Sequence, residues 1–240
     1  MSLAAEGYLH FAADPGVARW AEAARVAGER VVAAGGDLRH GRTWFVGVDA
    51  LPNAPDGSMS GVPLTGPWRD HVDPPTKWHR AQLSVIYPGY PQQDADESDA
   101  AHRYRITRDA AHMDGLLVEG PTRRRHLRVP HGFILGLPLN TCAASPLVVW
   151  PGSHRIMRSV FIEALSGTAP KVWGDVDVTD IYQAARRRVF ETCARVDLPA
   201  RPGEVTLLHR HLIHGVAPWG DHPPESDGRM IAYFRPWLDD

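Results

Sequence analysis

The sequence predicts a mainly β fold, a β-sandwich or jelly roll carrying a few packing helices. Three observations predict it. Short β-prone runs recur along the chain, only three stretches have helical periodicity, and the two kinds do not alternate as a doubly wound sheet requires. The 240 residues are expected as one domain, with 1–80 a helical and irregular covering segment and 81–237 the jelly-roll core.

Asp14 suits an N-cap and Pro15 a first helical position, and Val17, Trp20, Ala24 and Val31 recur at helical spacing before Gly35-Gly36. Residues 14–34 are therefore expected as a packing helix. The run 43–48 is β-prone, after which Pro52, Pro55, Gly57, Gly61, Pro63 and Gly66 mark a long irregular stretch that wraps the scaffold. A strand is expected at 81–88, then a solvated acidic loop at 92–99. Further strands are expected at 103–107, 112–118, 127–139 and 147–150. A helix follows from Ser153 towards Leu165, with Ser153 and His154 expected to cap it. In 179–193, Ile181, Ala185, Val189 and Cys193 form an apolar helical stripe, leaving Arg186, Arg187 and Arg188 on a solvated face. After Pro202-Gly203, strands are expected at 204–209, 212–217 and 229–237.

The charge balance of 26 basic against 28 acidic residues, net -2, provides no field to hold a nucleic acid or an anionic membrane. No stretch approaches the ~20 apolar residues of a membrane span, and no secretory leader pattern opens the chain. Cys142 and Cys193 stand outside any metal or redox spacing, so free thiols and a cytoplasmic location are expected.

Thirteen histidines supply the chemistry worth weighing. In His112-Met113-Asp114, residues two apart on an extended chain point the same way, so an imidazole and a carboxylate can reach one ion. A second histidine-bearing segment, 207–215, is embedded in apolar sequence and offers His209, His211 and His214. Two such strands side by side complete a two-His-one-carboxylate face. That ligand set leaves about three positions open on an octahedral Fe(II), with zinc hydrolysis as the rival use.

Four motifs then stand in order: HMDG at 112–115, WPGSHR at 150–155, RPGEVTLLH at 201–209 with IHG at 213–215, and Arg229. Together they resemble the phytanoyl-CoA dioxygenase-like branch of the Fe(II)/2-oxoglutarate dioxygenases, over roughly residues 81–237. The resemblance implies a double-stranded β-helix with iron on His112, Asp114 and His214, the last selected because it directly precedes a glycine. It implies that 2-oxoglutarate is the cosubstrate and that Arg229 binds its distal carboxylate, a task suited to the two parallel donors of a guanidinium. Arg229 falls fifteen residues after His214, with Asp221-His222-Pro223-Pro224 reading as an inserted loop. Arg235 shares its strand parity and is the alternative, facing either the cosubstrate, a substrate acid or Asp114. The turn before Pro146-Leu147 departs from the family, which usually carries Asn-Gly where Ala144-Ser145 stand here.

Gln82, Tyr87, Arg105, Thr107 and Arg108, ahead of the metal pair, are expected to line the pocket around cosubstrate and substrate. The resemblance implies hydroxylation of a small molecule, with a carboxylate-bearing one among the candidates, and release of succinate and CO2. Retention of Asp114 leaves no vacated ligand position for a halide. Arg123, Arg124, Arg125 and Arg128 are expected on a solvated surface. Two rival readings are a binding protein of the same fold without turnover, and a nucleic-acid demethylase, which the near-neutral charge disfavours.

Overall fold

The computed structural model describes residues 2–223 and 227–238; Pro224 of the expected inserted loop lies outside them. In chain order the elements are α1 (Leu3–Glu6), β1 (Tyr8–Phe11), α2 (Pro15–Ala33), β2 (Leu38–Arg39), β3 (Trp44–Gly47) and β4 (Gln82–Ile86). Then come α3 (Asp99–Thr107), β5 (Leu116–Glu119), β6 (Arg124–Leu127), β7 (Phe133–Pro138), β8 (Leu147–Val149) and α4 (Ser153–Ala164). The chain finishes with α5 (Thr179–Thr192), β9 (Val196–Leu198), β10 (Val205–His209), β11 (His214–Val216) and β12 (Arg229–Phe234).

Every strand pair is antiparallel, in a larger sheet ordered β1-β10-β7-β12-β4-β3-β2, a smaller sheet β11-β8-β9 and a β5-β6 hairpin. Strand alternation sorts the side chains into layers. Leu83, Val85, Leu135, Leu207, Ala232 and Phe234 face outward and pack under Trp20, Trp68 and Trp78. From the opposite face Ile134, Leu208, Ile231 and Tyr233 meet Leu147 and Val149 of the smaller sheet. The outer side of that sheet, with Val148 and Trp150, is covered by Met157 and Phe161 of α4 and Tyr182 and Val189 of α5. The result is a mainly antiparallel jelly roll between two helical layers, not closed into a barrel.

The Asp14 carboxylate caps α2 by accepting from the Gly16 and Val17 amides at 2.8 and 2.9 Å. Its buried stripe of Val17, Trp20, Ala21, Ala24 and Gly28 sits close to the sheet because these residues are mostly small. A Cβ at Gly28 would come within 3.2–3.4 Å of Met230 and Leu83. At α5 the N-cap position is Val178, and Asp177 just before it accepts from the Thr179 amide at 2.9 Å.

Several expectations need correction. Residues 103–107 are helical, in α3, because Ser98 caps the helix by accepting from the Ala101 amide and Tyr104 anchors it inward by donating to the Ala111 carbonyl. The acidic stretch before it is mostly exposed, as expected, but is anchored at two points: Asp94 accepts from the amides of His40 and Gly41, and Glu97 holds Arg105. The expected strand over 112–118 reduces to β5 plus one isolated bridge, and that over 127–139 separates into β6 and β7. Residues 1–80 do more than cover the sheet, since β1 pairs with β10 and β3 with β4. Arg124 and Arg128 are engaged by Asp177, Asp180, Glu119 and Asp175. No helix among the described residues is long and apolar enough to cross a membrane.

Candidate metal centre

The centre is built by backbone first. His112 and His214 form an isolated antiparallel bridge, each amide donating to the other's carbonyl at 2.8 and 3.0 Å. This bridge hangs the HMDG segment on the edge of β11, whose other edge pairs with β8. Gly215 permits the approach: a Cβ there would stand 2.1 Å from the Asp109 carbonyl oxygen. Gly115, at φ +87°, likewise lies against the Val129 carbonyl, where a Cβ would come to 2.4 Å. Both glycines of the H-x-D-G and H-G motifs are thus required by contact and conformation.

The chain enters the bridge through two consecutive left-handed residues, Asp109 (φ 53°) and Ala110 (φ 52°). Such conformations cost of order 1 kcal/mol or more at non-glycine positions and persist where the surroundings over-determine them. Here Asp109 is buried and held in two hydrogen bonds by Arg195, at 2.7 and 3.0 Å, while its carbonyl accepts from the Val216 amide. Arg195→Ala is expected to destabilise the fold by ~1–3 kcal/mol, because it leaves a buried carboxylate without its counter-ion. Urea denaturation measures this, and an unchanged midpoint would contradict it.

His112, Asp114 and His214 offer one ligand atom each, all within 4.8 Å of one another. The Nδ1 of His112 donates to the Ala110 carbonyl at 2.9 Å and that of His214 to the Leu212 carbonyl at 3.0 Å. Each ring therefore presents its Nε2 lone pair, the tautomer a metal needs. These Nε2 atoms lie 3.0 and 3.7 Å from Asp114 Oδ1. Asp114 Oδ2 is taken by the Arg235 Nε–H, and Arg235 also donates to Gln82 Oε1 at 2.6 Å. Burial alone would raise the Asp114 pKa, but Arg235 and the two imidazoles hold the carboxyl well below the usual range. Burial pushes His214 down to about 4. His112 shifts the other way, its burial outweighed by the hydrogen bond and charge of Asp114. The His112 side chain is surrounded by protein, yet 48% exposed through the cavity it faces.

That cavity, about 530 Å³, contains all three ligand residues and lies between the two sheets. Trp44, Tyr90, Ile86, Ile134, Leu147 and Leu208 supply much of its wall. Of the residues expected there, Gln82 and Arg105 line it, Arg105 with its guanidinium already on Glu97. Arg229 does not line this cavity; on the inward parity of β12, opposite Ile86, it lines a separate narrow cleft with Thr206, Leu147 and Tyr233. It is 6% exposed and has no ion-pair or hydrogen-bond partner among the described residues.

Three expected residues lie elsewhere. Tyr87 is five residues from Gln82, so alternation turns it onto the opposite face, against the outer core. Thr107 and Arg108 end α3 on its exposed side, Thr107 bonded to the Arg103 carbonyl and Arg108 stacked 4.8 Å over Phe190. Ser153 does not cap α4; its hydroxyl accepts from the Ile213 amide at 2.9 Å and ties the Pro-Gly-Ser-His turn to the strand carrying His214. Asp109 and Arg195 were not foreseen, and nothing in their local sequence marks them.

His209 and His211 stay outside the ligand group, their rings 5.4 Å apart and His211 stacked on Phe161. Burial lowers His131 and His209 to about 4 and His211 to about 3. The unfolded chain binds protons first as pH falls through about 6.5, so the stability from these neutral rings is complete above that value. It is lost as pH falls towards 4. Metal-free protein should show a lower urea midpoint at about pH 5 than at about pH 7.5, and equal midpoints would contradict this.

Layered antiparallel sheets with this centre between them define a jelly-roll fold. Solved structures share the fold, two of them at the same TM-score. One is the non-heme alpha ketoglutarate dependent carbocyclase SnoK from nogalamycin biosynthesis, at TM-score 0.50 and 14% identity, covering 99% of this chain and 85% of that one. The other is the epimerase SnoN in complex with Fe3+, alpha ketoglutarate and nogalamycin RO, at TM-score 0.50 and 16% identity, covering 98% and 80%. No family model and no curated protein sequence matches the chain.

Proposed function

We propose that this chain is an Fe(II)- and 2-oxoglutarate-dependent oxygenase of the phytanoyl-CoA dioxygenase-like branch, hydroxylating a small molecule and releasing succinate and CO2. One observation carries the reading: two imidazole Nε2 atoms and a single carboxylate oxygen face one point at the wall of a 530 Å³ cavity. Two neutral nitrogens and one oxygen on one side suit Fe(II) and leave the cavity side for further ligands. Iron with 2-oxoglutarate bound supplies oxidative decarboxylation of the cosubstrate coupled to oxygen insertion into a C–H bond.

The chain's own residues do the rest. Arg235 occupies Asp114 Oδ2, so that carboxylate offers Oδ1 alone to a metal. Arg229 is a buried guanidinium lacking a counter-ion, and the distal carboxylate of 2-oxoglutarate would neutralise it. Ile86, Ile134, Leu147 and Leu208 keep water from the reacting space. Retention of Asp114 favours hydroxylation over halogenation.

The test is to incubate anaerobically prepared protein with Fe(II), 2-oxoglutarate and air, then follow succinate with and without candidate substrates. Succinate above that of a His112→Ala control is expected. Equal amounts from both would overturn the proposal.

A further inference from the structure

The metal centre does not account for a cluster of positive charge between α4 and the β10–β11 connection. Arg210 on that connection is half-buried, and neither it nor Arg158 of α4 has an ion-pair or hydrogen-bond partner among the described residues. Arg158, which is exposed, and Arg210 line two adjoining cavities that share Ile162, and burial followed by the charge of Arg158 lowers the Arg210 pKa. Around them stand His154, His209 and His211, with successive ring centroids 5.2 and 5.4 Å apart. No carboxylate is among the groups acting on Arg210, His209 or His211. A partly desolvated guanidinium beside a second one, without a counter-ion, is unfavourable until an anion joins them.

What adjoins the cluster determines the kind of anion. Arg210 and His211 line a second cavity, of about 220 Å³, whose wall is otherwise largely apolar, with Met113, Leu127, Phe161, Leu165 and Trp173. The same cavity reaches Asp114 and His131. Ile162 lines both this cavity and the adjoining basin of His154, Arg155, Arg158 and His209, and is itself 57% exposed. A hydrocarbon-lined space thus runs between a proposed metal ligand and an unpaired guanidinium.

We infer that this second cavity, next to the candidate metal centre, binds an amphipathic anion. Its carboxylate or phosphate sits on Arg210 and Arg158, and its apolar body lies along Phe161, Leu165 and Trp173 with the far end towards Asp114. A neutral apolar molecule would leave the arginines uncompensated, and a small inorganic anion would leave the apolar wall uncovered.

Calorimetric titration of the full chain without added metal tests the site apart from any turnover. The ligands are octanoate, octyl phosphate, octanol and acetate. Octanoate or octyl phosphate should bind about tenfold or more tighter than octanol, and acetate weaker still. Arg210→Gln should remove most of that preference while leaving octanol binding unchanged, and Arg158→Gln should reduce it. Which of octanoate and octyl phosphate binds tighter identifies the head group. Octanol binding as tightly as both anions, or an anion preference unchanged in Arg210→Gln, would overturn the inference, as would no binding at all. Anion binding without 2-oxoglutarate consumption would keep the site and remove the oxygenase reading. Consumption without anion preference would do the reverse.

Discussion

Replacing His214 with alanine is expected to weaken divalent-metal binding by at least about a hundredfold and to bring succinate formation down to background. Loss of groups that merely orient a metal-bound histidine already costs ~10- to 100-fold in affinity, so loss of a ligand should cost more. The fold should survive. The His112–His214 bridge is made by backbone atoms, and the pairing of β11 with β8 does not involve the imidazole. The replacement also removes a buried ring whose only hydrogen bond among the described residues is to the Leu212 carbonyl. Metal content after dialysis against Fe(II) or Mn(II), with circular dichroism as the folding control, measures the effect. Wild-type affinity in the variant would remove His214 from the centre.

Gly215→Ala should damage the same centre without touching a ligand. Its Cβ would have to occupy space 2.1 Å from the Asp109 carbonyl oxygen and 3.2 Å from the Ala111 Cα, and both are backbone. No side chain can swing aside to relieve the clash. Either β11 or the Asp109–Ala111 turn must move, which breaks the Val216-to-Asp109 hydrogen bond or the His112–His214 bridge. Overpacking of this kind costs ~1–3 kcal/mol or more. Displacing one imidazole by a few tenths of an ångström should lower metal affinity by ~10- to 100-fold. Urea denaturation and metal titration of the variant read the two effects separately. An alanine protein with unchanged stability and affinity would show that this close approach is not required.

These contacts also show where the fold and the site are legible in sequence. α2, α4 and α5 are readable because a helix declares itself locally, through caps such as Asp14 and stripes such as Ile181, Ala185 and Val189. The H-x-D and H-G motifs are readable because ligand chemistry needs particular side chains. Their assembly is not, since the bridge joins residues 102 positions apart through backbone atoms that carry no residue code. Tyr87 and Gln82 fall on opposite faces because an apolar run over 81–88 does not say which alternate residues face the cavity. α3 reads as a strand because Tyr104-Arg105-Ile106-Thr107 alternates like one; Ser98 and the alanines behind it settle the matter locally. β1 escapes notice because four residues at the start of the chain pair with β10, nearly two hundred positions later. Asp109 and Arg195 lie 86 positions apart and meet only in three dimensions.

In the proposed function His112, Asp114 and His214 hold one metal ion while leaving room beside it for a chelating keto acid. Anaerobic titration of the Fe(II)-loaded protein with 2-oxoglutarate, followed by visible absorption, tests this most directly. One iron per chain is expected, with a charge-transfer band that saturates with 2-oxoglutarate. The band should be absent in Asp114→Ala and need much more 2-oxoglutarate in Arg229→Gln. Iron that binds equally well after Asp114→Ala, or a spectrum indifferent to 2-oxoglutarate, would contradict it.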